Sequence, residues 1–138
     1  MISKQSGWQQ RLHEQLEAVR KQPFEWGRHD CAFFAAHAID RMCVTNFAAR
    51  LRVDLGWRDA AGAARVLASI EGGLTALVSD YLGEPSPRNL CREGDVMEVE
   101  VGGHRSLGIH EGHAVVAVGE EGRVIVPLEL AMHGWRLG

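Results

Sequence analysis

PFEWGRHDCAFFAAHAID, residues 23–40, divides into a loop and a helix at Asp30. Pro23 lacks a backbone donor and its ring clashes with a preceding turn, so no helix runs through it. Asp30 has the side chain of a helix N-cap, able to accept from orphan amides of a first turn. From Cys31 to about Met42 the apolar residues Ala32, Phe33, Phe34, Ala35, Ala36, Ala38 and Ile39 fall on almost every side. That pattern predicts a buried central helix, whose small residues let neighbouring elements approach closely.

Upstream, Trp8, Leu12, Leu16 and Val19 recur at helical spacing among polar residues, predicting an amphipathic helix from about Trp8 to Gln22. Downstream, Asn46 to Trp57 gives no clear period. Asp59 or Ala60 to Ile70 is alanine-rich and predicts a third helix; Gly72–Gly73 breaks it, and Leu74 to Leu82 supports a fourth. The connection GEPSPRN, residues 83–89, ends the helical half. Asp95 to Val101 then alternates as a strand, and Gly102–Gly103 turns into a short strand around Ser106 to His110. His113 to Val118 and Arg123 to Leu128 face each other across GEEG. The tail Leu130 to Leu137, with Trp135, is expected to return as an edge strand. The layout is α+β: N-terminal helices packed on a small antiparallel sheet, one domain over residues 1–138.

The 138 residues suit one domain, which at this size needs no disulfide or metal staple. Cys31, Cys43 and Cys91 form no CxxC pair and no complete disulfide set, favouring a reducing compartment. The longest apolar run is six residues, Cys31 to Ala36, which excludes a membrane-spanning helix. MISKQSGWQQ has no apolar stretch of the signal-peptide kind, so synthesis in the cytoplasm is expected. Net charge is −3, divided as +3 over residues 1–58 and −6 over residues 59–138. Neither half has the basic surface of a general nucleic-acid binder, and no nucleic-acid partner is expected. No dinucleotide, P-loop or calcium-loop pattern occurs. His110 and His113, with Glu111 and Glu129, lack the helical HExxH spacing. No cofactor or metal is expected.

Chemistry concentrates at Cys31. A cysteine in the first turn of a helix sits where unpaired amides and the helix field favour a thiolate. Gly27, Arg28 and His29 would keep the approach open and add positive potential. The plainer reading is a small core residue, since free cysteine is commonly buried. A nucleophile also needs a base. His13 lies off the apolar stripe of its helix, His37 is about 240° round from Cys31, and His29 stands outside the cap. His104, His110 and His113 belong to the sheet and are the base candidates. Glu98 and Glu100 share one strand face, which reads as solvated. The four tryptophans either close the core or seal a contact.

Taken in order, PFEWGRHDCAFFAAHAID, REGDVMEVE (residues 92–100) and LGIHEG (residues 107–112) resemble NlpC/P60-type cysteine peptidases. From about Trp8 to Leu137 the chain resembles a compact group of phage and prophage tail-associated proteins related to that fold, which end in a PL…W segment like Pro127–Leu128 and Trp135. The resemblance implies a papain-like core in which a helix bearing the nucleophilic cysteine packs on a sheet that supplies a histidine. Cys31 matches the nucleophile, Asp30 the acidic residue before it, and Gly94–Asp95 the G-D opening the first core strand. The match fails at the base: Ser106, in Ser106–Leu107–Gly108–Ile109, occupies the histidine's place. The third polar residue of the enzymes falls near Val116. His104 and His113 are the substitutes in reach.

Two functions follow as expectations. One is a structural component of a phage or prophage tail tip or baseplate, using a degenerate peptidase fold, resident in the virion tail after synthesis in the host cytoplasm. Its partners are other tail-tip or baseplate proteins, covering apolar surface near Trp26, Trp57 or Trp135. The other is an active cell-wall (peptidoglycan) cysteine endopeptidase or amidase, with Cys31 as nucleophile and His104 or His113 as base, acting on cell-wall peptides.

Overall fold

A computed structural model describes residues 2–138. Five helices precede most of the sheet: α1 (Trp8–Ala18), α2 (Cys31–Cys43), α3 (Phe47–Leu55), α4 (Ala60–Ala68) and α5 (Gly73–Leu82). The strands are β1 (Ser86–Pro87), β2 (Val96–Val101), β3 (His104–His110), β4 (Ala114–Gly119), β5 (Gly122–Pro127) and β6 (His133–Trp135). They form one antiparallel sheet in the order β1-β6-β2-β3-β4-β5. The α+β layout expected from the sequence is therefore present. No single helix among the described residues is long and apolar enough to span a membrane.

Strand alternation divides the sheet into two apolar faces. Val96, Leu107, Ile109, Val116 and Val118 pack with the helices, centred on α2, whose Phe33, Ala36, Ala38, Ile39 and Met42 are almost wholly enclosed. Met97, Val99, Val115, Ala117 and Val126 form a second, smaller core on the outer face. The registers Val96↔Ile109 and Met97↔Gly108 keep the two sets apart. At Gly108 a Cβ would fall 2.5 Å from Val115 and 2.7 Å from the Val116 carbonyl, so the strands close together only around a glycine.

Three expectations are corrected, and one unassigned stretch gains a helix. The stretch without a clear period contains α3. Its nominal cap, Asn46, makes no side-chain bond; instead Asp40, on α2, accepts from the Phe47 and Ala48 amides. The cap signal thus lies seven positions upstream, outside any local pattern. The tail strand β6 is not an edge, because Ser86–Pro87, inside the supposed connection, pairs outside it. Glu98 is not solvated but fully buried, accepting from the Thr75 hydroxyl and Arg105 and paired with His133 Nε2 at 2.8 Å. Desolvation works to raise the Glu98 pKa, yet these partners outweigh it and hold the carboxyl below its ordinary value. Finally, Trp57 and Trp135 are core residues and offer no surface; only Trp26 of the three is half-exposed.

α2 ends at Val44, a β-branched residue held at φ 55°, ψ 60° and 71% exposed. Left-handed backbone costs an L-residue with a branched Cβ about 1–2 kcal/mol, and here almost no burial compensates. Val44→Gly is expected to raise the unfolding free energy by about 1 kcal/mol, read as a higher urea midpoint at unchanged slope. A lower midpoint would show that the Val44 side chain contributes more than its backbone costs.

Candidate functional site

The mouth of α2 is organised by one carboxylate. Asp30 is fully buried at the N-cap, and its Oδ1 accepts from the Phe33 amide at 3.0 Å. Oδ2 accepts from the Gly27 amide at 2.9 Å and from the Trp57 indole N–H at 2.7 Å. Three donors satisfy a charge whose burial would otherwise be costly. Gly27 sits at φ +78°, and a Cβ there would lie 2.6 Å from the Trp57 carbonyl oxygen, so the loop and the α3–α4 connection meet backbone to backbone. Trp26 stands edge-on to Phe24 and to Trp57, with ring centroids 4.8 and 6.4 Å apart.

The loop before Cys31 is thus packed against the α3–α4 connection, and Gly27 is not there to leave open space. Nor does His29 supply the expected charge. It is buried, bridged to Glu25 through the backbone and edge-on to Phe34, and burial, followed by the nearby charge of His37, lowers its pKa. Arg28 points outward, 3.9 Å from Glu25.

Cys31 lies beside β3. That strand pairs with β4 only over Gly108–His110, which leaves the preceding Ser106–Leu107 stretch free of β4. There Ser106 and Leu107 stand beside the Cys31 sulfur, where both favour its ionised form. Although part of the residue reaches the surface, burial of the thiol pushes its pKa up to about 11; the Leu107 amide opposes this, and the Asp30 charge adds to it. The helix-mouth effect expected from the sequence is overridden by desolvation and by the carboxylate that caps the same helix.

No histidine is among the groups acting on that sulfur. His104 begins β3, opposite Val101, with an exposed side chain. His113 is exposed in the turn between β3 and β4, beyond the far end of β3 from Ser106. The structure thus sets Asp30 and Ser106 beside Cys31, with His104 two residues from Ser106 along β3 and His113 in the turn after that strand. Val116 is buried in the helix-facing core. No group of three or more His, Cys, Asp or Glu side chains among the described residues is placed to hold a metal ion.

Sequence reasoning missed Trp57 as the partner of Asp30, because a link across 27 positions leaves no local signature. Gly94–Asp95 is a second structural pair. Asp95 accepts from the Leu137 and Arg92 amides and pairs with Lys4 at 3.3 Å, fastening both ends of the chain to the sheet. A Cβ on Gly94 would fall 2.6 Å from Lys4 and 2.8 Å from the Trp8 ring.

Trp57→Phe removes one donor from Asp30 while keeping most of the ring. It is expected to cost about 2 kcal/mol in urea unfolding, and Asp30→Ala, which strands three donors, more. A loss of only a few tenths of a kcal/mol for Trp57→Phe would show that the indole bond does not hold the α2 mouth.

No curated protein sequence matches the chain. A family model described as a domain of unknown function (DUF6950) matches residues 3–137, and the chain belongs to that family.

Proposed function

We propose that the chain is a structural component of a phage or prophage tail tip or baseplate, built on a papain-like NlpC/P60-type frame that no longer performs peptidase chemistry. The observation that carries the second half of this reading is the Cys31 sulfur, desolvated and neighboured by Ser106 rather than by an imidazole. At pH 7 a thiol with a pKa of about 11 is ionised in about one molecule in ten thousand. A serine hydroxyl is no general base near neutrality, so nothing beside the sulfur takes its proton. The first half rests on the ordered resemblance from Trp8 to Leu137 to phage and prophage tail-associated proteins. In this reading Gly27, Asp30, Gly94 and Asp95 serve to tie loops and termini together.

An assembly role implies partners among tail-tip or baseplate proteins and residence in the virion tail. The outward-facing apolar side chains Val44, Val53, Leu90, Ile125 and Leu130 are the surface such partners would meet. An active peptidoglycan endopeptidase remains the competing outcome of the test.

Ser106→His places an imidazole beside the sulfur. If β3 occupies the histidine strand of a papain-like frame, iodoacetamide alkylation of Cys31 in this variant should show a pKa lowered by several units. The unmodified chain should leave peptidoglycan peptides uncleaved and appear in purified tails. Cleavage by the unmodified chain, abolished in Cys31→Ala, would overturn the structural reading; absence from purified tails would overturn the tail assignment. An unchanged thiol pKa in Ser106→His would count against the papain-like frame.

A further inference from the structure

At the opposite end of β3, four residues or about 13 Å along the strand from Ser106, the outer face of the sheet carries a second polar site. Two short 3-10 turns of the same build flank it. Each follows a proline, Pro87 at φ −55° and Pro127 at φ −56°. Each spans three residues, Arg88–Leu90 and Leu128–Leu130. Each is closed by the following amide, Cys91 N–H donating to Arg88 O at 3.1 Å and Ala131 N–H to Leu128 O at 3.0 Å. Arg88 ties them together by donating through Nη1 to the Glu129 and Ala131 carbonyls. Between them opens a pocket of about 350 Å³, lined by Arg88, Asn89, Cys91, His110, Leu128 and Glu129. That is within the range of small-molecule sites.

His110 is the decisive residue. It is only 7% exposed, and its Nδ1 accepts the Gly112 amide at 3.1 Å across a turn that Gly112 makes at φ +104°. A nitrogen that accepts carries no proton, so the neutral ring holds its proton on Nε2. Burial lowers the His110 pKa despite the opposing charges of Asp95, Glu111 and Glu93, which keeps the ring neutral at pH 7. Nε2 has no protein partner, yet no enclosed side-chain nitrogen or oxygen among the described residues lacks one. It is therefore accessible, on a ring that lines the pocket. Arg88, whose Nη1 is already engaged, lines the same pocket with Asn89, the apolar Leu128 and the acidic Glu129.

We propose that this pocket binds a small carboxylate-bearing ligand of the amino-acid class, with one carboxylate oxygen on His110 Nε2–H and the other on the Arg88 guanidinium. One neutral donor beside one guanidinium suits a singly charged planar acceptor. A phosphate dianion is disfavoured by Glu129 in the lining and by Asp95, Glu93 and Glu111 around the ring. Glu129 in turn suits the amide or ammonium N–H of an amino acid. The site is independent of Cys31, and its occupancy does not depend on whether that thiol reacts.

Long-range proton–nitrogen NMR of the histidine rings in the folded chain tests this at pH 7. The His110 ring should be the Nε2–H tautomer. Sodium N-acetylglycinate should shift its Nε2 signal saturably in the millimolar range, whereas N-acetylglycinamide at equal concentration should not. Arg88→Gln should weaken the effect about tenfold; its probe-free ring spectrum, if unchanged, shows that the turns remain in place. An Nδ1–H tautomer, or equal non-saturating shifts from both probes, would overturn the proposal, and the tautomer is observed without any variant.

Discussion

A buried carboxylate with three N–H donors holds the centre of this molecule. Asp30 fixes the first turn of α2 through Phe33, the incoming loop through Gly27 and the distant α3–α4 connection through Trp57. Because α2 packs against both α1 and the sheet, the position of its N-terminus sets where the helical layer sits on β3 and β4. A charge buried this completely is tolerated only while every lone-pair direction it turns inward finds a donor. The tryptophan that supplies one of them is thereby drawn into the core, away from any partner.

The same arrangement decides the chemistry next door. A helix N-terminus ordinarily favours a thiolate, but here the cap itself is an anion and the surroundings are dry. Both act in the direction that keeps Cys31 protonated. Ser106 and Leu107 neighbour the sulfur without offering it a base. Gly27, Asp30 and Cys31, close along the sequence, meet in the fold at the mouth of α2. Gly27 permits close backbone approach, Asp30 gathers amides, and Cys31 lies beside the part of β3 that β4 does not pair.

Much of the framework was legible because local rules agree with the fold. Asp30 before an all-round apolar run predicts the start of α2, and Gly119–Gly122 between two apolar runs predicts the β4–β5 hairpin, whose ladder closes at Gly119↔Gly122. Failures occur where long-range partners replace local signals. α3 takes its cap from Asp40, β6 becomes interior only because Ser86 and Pro87 pair with it, and Glu98 looks like a wet strand residue until Thr75, Arg105 and His133 converge on it. At the site, the cysteine, its cap and the serine beside it were identifiable from order along the chain. The sign of the thiol shift was not, since it depends on enclosure that no sequence pattern records.

The claim that the α2 mouth is a structural joint is tested most directly by the ionisation of Cys31 in the folded chain. With cysteine carrying carbon-13 at Cβ, the Cys31 resonance should keep its thiol position well past the ordinary cysteine value of about 8.5 and move only as pH approaches about 11. A titration centred below about 8.5, accompanied by a histidine resonance moving in step, would contradict the account and return Cys31 to the role of a nucleophile.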